Sequence, residues 1–248
     1  IVKYALFVIG GLVILIGAVL AYVAATFDPN QYKPQMVQAV KERTQRTLKL
    51  EGDIRLSFWP SIGAKIGKAS LSERASDREF AAVEEVRVAL KLMPLLSRQA
   101  VVDTVRVRGL RASIVKAKDG STNVDDLAGP PPTKGAPAAK DAGADFKVDI
   151  AGIEITDAAV SYADAAAGTK YALSKLNFKT GRLAPGVPTG IEFSAHVNSD
   201  EPKLDLPVAV KTRLTFDPEK QTLALADLAL EAKGEAAGVT NLVVKLTG

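Results

Sequence analysis

From Tyr4 to Phe27 the chain reads YALFVIGGLVILIGAVLAYVAATF, with no charged side chain between Lys3 and Asp28. Twenty-four residues at a rise of about 1.5 Å per residue give a helix of roughly 36 Å, enough to cross a hydrocarbon core of about 30 Å. The pattern predicts a transmembrane helix over residues 1–27, with Tyr4, Tyr22 and Phe27 near its ends where aromatic rings suit the interface. A cleavable signal peptide would carry a shorter apolar core, of about 7 to 15 residues. After the breaking sequence Asp28-Pro29-Asn30, helical spacing runs from Gln31 to about Arg46: Met36, Val37, Val40 and Thr44 share one side. This predicts one short amphipathic helix, with Pro34 tolerated only in its first turn.

At Leu48 the period changes from 3.6 to 2. Leu48, Leu50, Ile54, Leu56 and Phe58 alternate with Lys49, Glu51, Asp53, Arg55 and Ser57, the mark of a strand apolar on one face. Further strands are predicted over Ile62–Leu71, Val83–Met93 and Val101–Val107, and after Gly109. Beyond a stretch rich in Pro, Gly and Ala, alternation returns over Phe146–Ile155, Val160–Tyr162, Tyr171–Phe178, Ile191–Val197, Leu204–Phe216 and Thr222–Ala232. Asp217-Pro218-Glu219-Lys220 suits a hairpin turn, and Leu242–Leu246 is again strand-like. Val105–Ile114 echoes Ile153–Tyr162, each reading as strand, tight turn, strand. The organisation expected is an anchor (1–27), a β unit with a leading helix (28–128), a linker or loop (129–145) and a second β unit (146–248) that continues past the last residue.

Composition narrows the chemistry. The net charge is only +4, from 32 Lys and Arg against 28 Asp and Glu interspersed along the chain, which does not favour a nucleic-acid partner. With no cysteine and one histidine, His196 in an alternating stretch, the chain has no grouping for a thiolate metal site, a Ser-His-Asp triad or a Cys-His pair. No catalytic residue, metal or cofactor is assigned, and an enzyme ranks third among the readings. The acids worth inspecting are Asp103, Asp125 and Asp126, where turn chemistry accounts for the pair. A basic cluster after the anchor supplies Lys33, Lys41, Arg43 and Arg46 as candidates for contact with lipid headgroups.

Several fragments in fixed order carry a resemblance: the span, Asp28-Pro29-Asn30-Gln31-Tyr32, Leu50-Glu51-Gly52-Asp53-Ile54, Phe58-Trp59-Pro60-Ser61, Met93-Pro94-Leu95-Leu96, and Asp119-Gly120-Ser121-Thr122-Asn123-Val124-Asp125-Asp126-Leu127. In these the chain resembles the AsmA family of bacterial inner-membrane proteins. Val124 stands where that family has an aromatic residue, and Trp59 where it has phenylalanine. The resemblance implies a mainly β fold: an anchor and short helix followed by a curved, largely antiparallel trough of repeating β units, related to chorein-type bridge proteins. It implies a single-pass protein of the inner membrane with its soluble part in the periplasm, handling phospholipids in outer-membrane biogenesis. The visible charges point the other way, since one basic residue precedes the span and five follow it.

Under that reading the lipid-facing candidates are Ile54, Leu56, Phe58, Val86, Val88, Leu90, Leu92, Val105, Val107, Val208, Val210, Leu214 and Phe216. The partners expected are membrane phospholipids and inner-membrane or envelope proteins. Two alternatives stand beside it: the same side chains fill a closed β core, or the chain is a non-enzymatic scaffold subunit whose apolar face is covered by a partner.

Overall fold

The computed structural model describes residues 26–58, 61–91, 94, 101–127, 149–184, 186–217 and 222–248. A 3₁₀ turn, Pro29–Tyr32, leads into helix α1, Lys33–Thr44, where Pro34 sits in the first turn and leaves no hydrogen bond unmade. Lys33, Val37, Val40 and Thr44 form its half-buried side, while Tyr32 and Met36 stay exposed. No helix among the described residues is long and apolar enough to cross a membrane; the stretch expected to do so, Tyr4 to Phe27, lies outside them apart from its last two residues.

Among the described residues, every strand after α1 belongs to one open, curved sheet of sixteen strands. They are β1 (Leu48–Leu50), β2 (Ile54–Ser57), β3 (Ser61–Ile66), β4 (Ala69–Ser72), β5 (Glu79–Val83), β6 (Glu85–Lys91), β7 (Val101–Val102), β8 (Val105–Arg108), β9 (Arg111–Lys116), β10 (Asp149–Ile150), β11 (Ile153–Asp164), β12 (Thr169–Thr180), β13 (Thr189–Ser199), β14 (Leu204–Asp217), β15 (Thr222–Ala236) and β16 (Val239–Thr247). The short ones join end to end, so that β1–β2, β3–β4, β5–β6, β7–β9 and β10–β11 each act as one broken strand. Each broken or long strand lies beside its predecessor in sequence, and the pairing is antiparallel at every step except one.

The exception is the echo seen in the sequence. β8 and β9 run parallel to β11, pairing Val105 with Ile153 and Ile114 with Tyr162, so the two similar segments lie side by side in the register of their similarity. The tight turn expected in each is instead a single left-handed residue inside a continuing strand. Gly109 has φ 64° and Asp157 has φ 53°. The expected linker 129–145 lies outside the described residues, and the β units on either side of it are joined through this parallel pairing.

The breaks fall along one line. Gly52 donates to Lys68 O and Gly67 to Asp53 O, at 2.7 and 3.0 Å, and a Cβ on Gly52 would sit 2.2 Å from the Lys68 nitrogen. The line continues through Glu84, against which Gly109 packs, and on to the bulge at Asp157. Only six hydrophobic residues are buried among those described, four of them alanines (Ala69, Ala158, Ala195 and Ala232, with Ile54 and Phe80). A closed sandwich would bury its large aliphatic side chains between two layers. Here a single layer leaves them half-exposed.

Candidate functional site

Register decides which side chains share a face, because residues directly opposite in neighbouring strands point the same way. Starting from Ile54, the partners run Ile66, Val86, Val107, Ile155, Phe178, Phe193, Val210, Leu230 and Leu246. Ten strands therefore contribute one unbroken apolar row. One residue along, Arg55 is followed by Lys65, Arg87, Arg106, Glu154, Lys179, Glu192 and Lys211, and this charged row lies on the opposite face. A second apolar row runs through Leu48, Leu71, Ala81, Ala112, Val160, Leu173, Val197 and Leu206. Phe193 and Val197, and likewise Val210 and Leu206, are four residues apart in uninterrupted register, which puts both apolar rows on the same face.

The residues singled out from the sequence fall onto this face. Leu56 pairs with Ala64 and Ala64 with Val88; Ile62 pairs with Leu90; Val105 pairs with Ile153; Val208, Leu214 and Phe216 share the side of Val210 on β14. Phe58 follows β2 and is half-buried, and Leu92 lies outside the described residues. Missed in the sequence were Phe178, Phe193, Leu173 and Leu230, whose alternation was visible but whose neighbours were not. The face stays open to solvent: Leu56 is 38% exposed, Val88 41%, Phe216 51% and Leu223 65%. Near its lower end Leu183, Ala184, Val187, Thr189, Leu214 and Phe216 surround an apolar hollow.

One expectation is overturned. Arg46 cannot reach a headgroup, because it is fully buried. Its Nε and Nη2 donate to the two oxygens of Asp126 at 2.8 and 2.6 Å, Nη1 donates to Ser72 O, Nη2 also to Asn123 O, and the guanidinium lies 4.6 Å from the centre of the Phe80 ring. The Arg46 hydrogen bonds hold the Asp126 carboxyl below its usual range. Lys41 and Arg43 remain exposed on α1, and Lys33 lies on its half-buried side.

Of the acids considered for catalysis, Asp125 accepts from Thr122 N and Oγ1 and Asp103 from Thr104 N, as turn formers do, whereas turn chemistry does not account for Asp126, whose carboxylate is held by Arg46. Two asparagines pin strand edges. The Asn30 side chain both accepts from Ile54 N and donates to Ile54 O, and Asn123 does the same between Val115 N and Ser113 O. These are positions of the recognisable fragments Asp28-Pro29-Asn30 and Thr122-Asn123, so the motifs encode edge protection and helix docking.

The AsmA family profile matches residues 1–232. The chain belongs to the AsmA family. It is 23% identical over 227 residues to Protein AsmA of Escherichia coli (strain K12), an alignment that covers 90% of this chain and 35% of that protein. The chain thus spans about a third of the length of the curated relative it matches. No solved structure matches it. The quoted fragments of the N-terminal half and strands β11 to β14 fall within one matched segment, which ends inside β15.

Proposed function

We propose that this chain is a membrane-anchored envelope protein, on the periplasmic side of the bacterial inner membrane, whose apolar sheet face shelters phospholipid acyl chains and conducts them toward the outer membrane. The observation that carries the reading is the ten-strand row from Ile54 to Leu246, apolar throughout and, beyond the buried Ile54, at least partly exposed, backed by a charged row on the other face. Contiguous exposed apolar surface of this extent marks a binding surface. Moving an acyl chain through water costs about 0.8 kcal/mol per CH₂, on the order of 10 kcal/mol for a chain of ordinary length, and a continuous apolar face removes most of that barrier. Such work needs binding and no covalent step, so no residue is assigned a catalytic role.

The test is charge on the face. Val88→Asp and Leu90→Asp leave the sheet's hydrogen bonds intact and abolish lipid co-purification, read by mass spectrometry of the extracted protein alongside circular dichroism. Folded variants that still carry lipid would sink the reading. A stoichiometric protein partner with no lipid would replace it with a scaffold role.

A further inference from the structure

The apolar face changes character along the strand direction. Its lower end, by Val187, Leu214, Phe216 and Leu223, is hydrocarbon. At its upper end, where β9 and β11 finish and β12 begins, the rows end in Tyr162 opposite Tyr171 and then Lys116 opposite Asp164. Among the described residues of these apolar rows, charge occurs at this pair alone. The ring centres of Tyr162 and Tyr171 are 6.5 Å apart.

The pair is asymmetric. Asp164 is committed inward: Oδ1 accepts from Ala166 N and Ala167 N, and Oδ2 accepts from Lys116 Nζ at 3.0 Å and from the Tyr162 hydroxyl at 3.5 Å. The Asp164 side chain is 12% exposed and that of Lys116 39%. The carboxylate is therefore shielded, while the ammonium faces out with donors to spare. The Tyr171 hydroxyl has no hydrogen-bond partner among the described residues and adds a second outward donor. Below them come Val160, Leu173 and Phe178. The seven steps from Tyr171 to Phe178 along β12 are interrupted by a bulge at Lys175. They span roughly 20 Å, against a hydrocarbon thickness of about 15 Å for one leaflet.

We infer that Lys116 and Tyr171 form a phosphate-contacting site for a glycerophospholipid that lies along the strands, with its acyl chains over Val160, Leu173 and Phe178. The site rests on the lipid-sheltering reading above and adds a direction to it: the headgroup is held at the upper edge and the tails point toward the opposite one. Charge complementarity selects the occupant, because a phosphate diester needs cationic and hydroxyl donors and its tails need an uncharged floor.

The test uses the full chain in lipid nanodiscs with phosphatidylethanolamine carrying a photoreactive group either in the headgroup or at an acyl terminus. The headgroup probe labels peptides containing Lys116 and Tyr171 about ten-fold over those containing Phe178 and Phe193, and the acyl probe reverses the preference. Tail labelling at Phe178 and Phe193 without headgroup preference at the upper edge overturns this site and leaves the trough standing. No labelling of the face by either probe overturns both. The double variant Lys116→Gln, Tyr171→Phe keeps Asp164 on its backbone amides; it loses phosphatidylethanolamine several-fold while retaining uncharged diacylglycerol. Equal retention of the two lipids overturns the site.

Discussion

Strands β1 to β9 run two to seven residues between breaks, whereas β12 to β16 run nine to fifteen. The first half is held by part-buried polar contacts: Arg46 to Asp126 and Asn30 to Ile54 across long stretches of chain, and Asn123 to Val115 between near neighbours. In the second half the part-buried side-chain ties include single hydroxyl bonds, from Ile153 N to Thr180 Oγ1 and from Ser199 Oγ to Lys170 O, and its ion pairs, such as Lys211–Glu192, Arg213–Asp227 and Lys245–Glu231, have each partner more than half exposed. Surface pairs of that kind contribute little. Exposed large apolar side chains follow the same division, since Phe216, Leu223, Leu225, Val239, Val243 and Leu246 are all more than half exposed and no large apolar side chain among the described sheet residues of the first half is. One sheet thus has a frame beside the expected anchor and a looser, more apolar extension. The frame fixes where the trough begins, and the extension supplies the surface.

The sharpest way to break this contrast is at Arg46. Arg46→Met leaves Asp126 and two carbonyls without their donor. Removing one partner of a buried pair costs about 3–5 kcal/mol. Hydrogen exchange should show β1 to β5 opening while β12 to β15 keep their protection. A loss under about 1 kcal/mol would mean that the helix and the 117–127 segment are held by something else.

Acid probes the same contact more gently. Asp126 titrates below its unfolded range. Its contribution is therefore present above about pH 4 and is lost as pH falls through the folded value. The first half loosens before the second as pH drops below about 4, and Arg46→Met flattens that difference. Asp164, lowered to about 2 by the Ala167 amide and then by Lys116, holds its own end of the face to lower pH. Simultaneous loss of protection in both halves would contradict the division.

The smallest effect is expected at the far end, where Leu223 is 65% exposed and Leu225 60%. Leu223→Ser and Leu225→Ser should each change stability by no more than about 0.5 kcal/mol in thermal unfolding. A loss several times larger would reveal a layer packed over them.

Alternation made most strands legible in the sequence, including the long run from Leu204 and the parallel copies at Val105 and Ile153. It missed β5, because Glu79-Phe80-Ala81-Ala82-Val83 has no polar partner for its small residues and a bulge interrupts its pairing at Leu71 and Ser72. Where a strand breaks was hidden too: Gly52 and Gly67 are needed only because two backbones meet there, and that meeting joins segments separated along the chain by the whole β2–β3 hairpin. Arg46 was misread for a related reason. A basic residue just past an amphipathic helix has the pattern of a surface group, and its carboxylate lies eighty residues away. The lining residues were legible as a set, since period two marks a face, but their order across the sheet belongs to register, which no local pattern encodes.

That order carries a constraint on how such a chain can change. Apolar and charged rows alternate at a spacing of one residue from β2 to β14. Losing a single residue inside a regular strand such as β13 would turn the rest of that strand over, presenting charged-row positions such as Glu192 to the hydrocarbon side. Among the described strands the ladder already skips at Asp157, Lys175 and Asp227, each held at positive φ, and again beside Leu71 and Gly234, and a change of length is best absorbed at such skips. They are seams at which a residue can be gained or lost while the wall stays oily on one side and wet on the other.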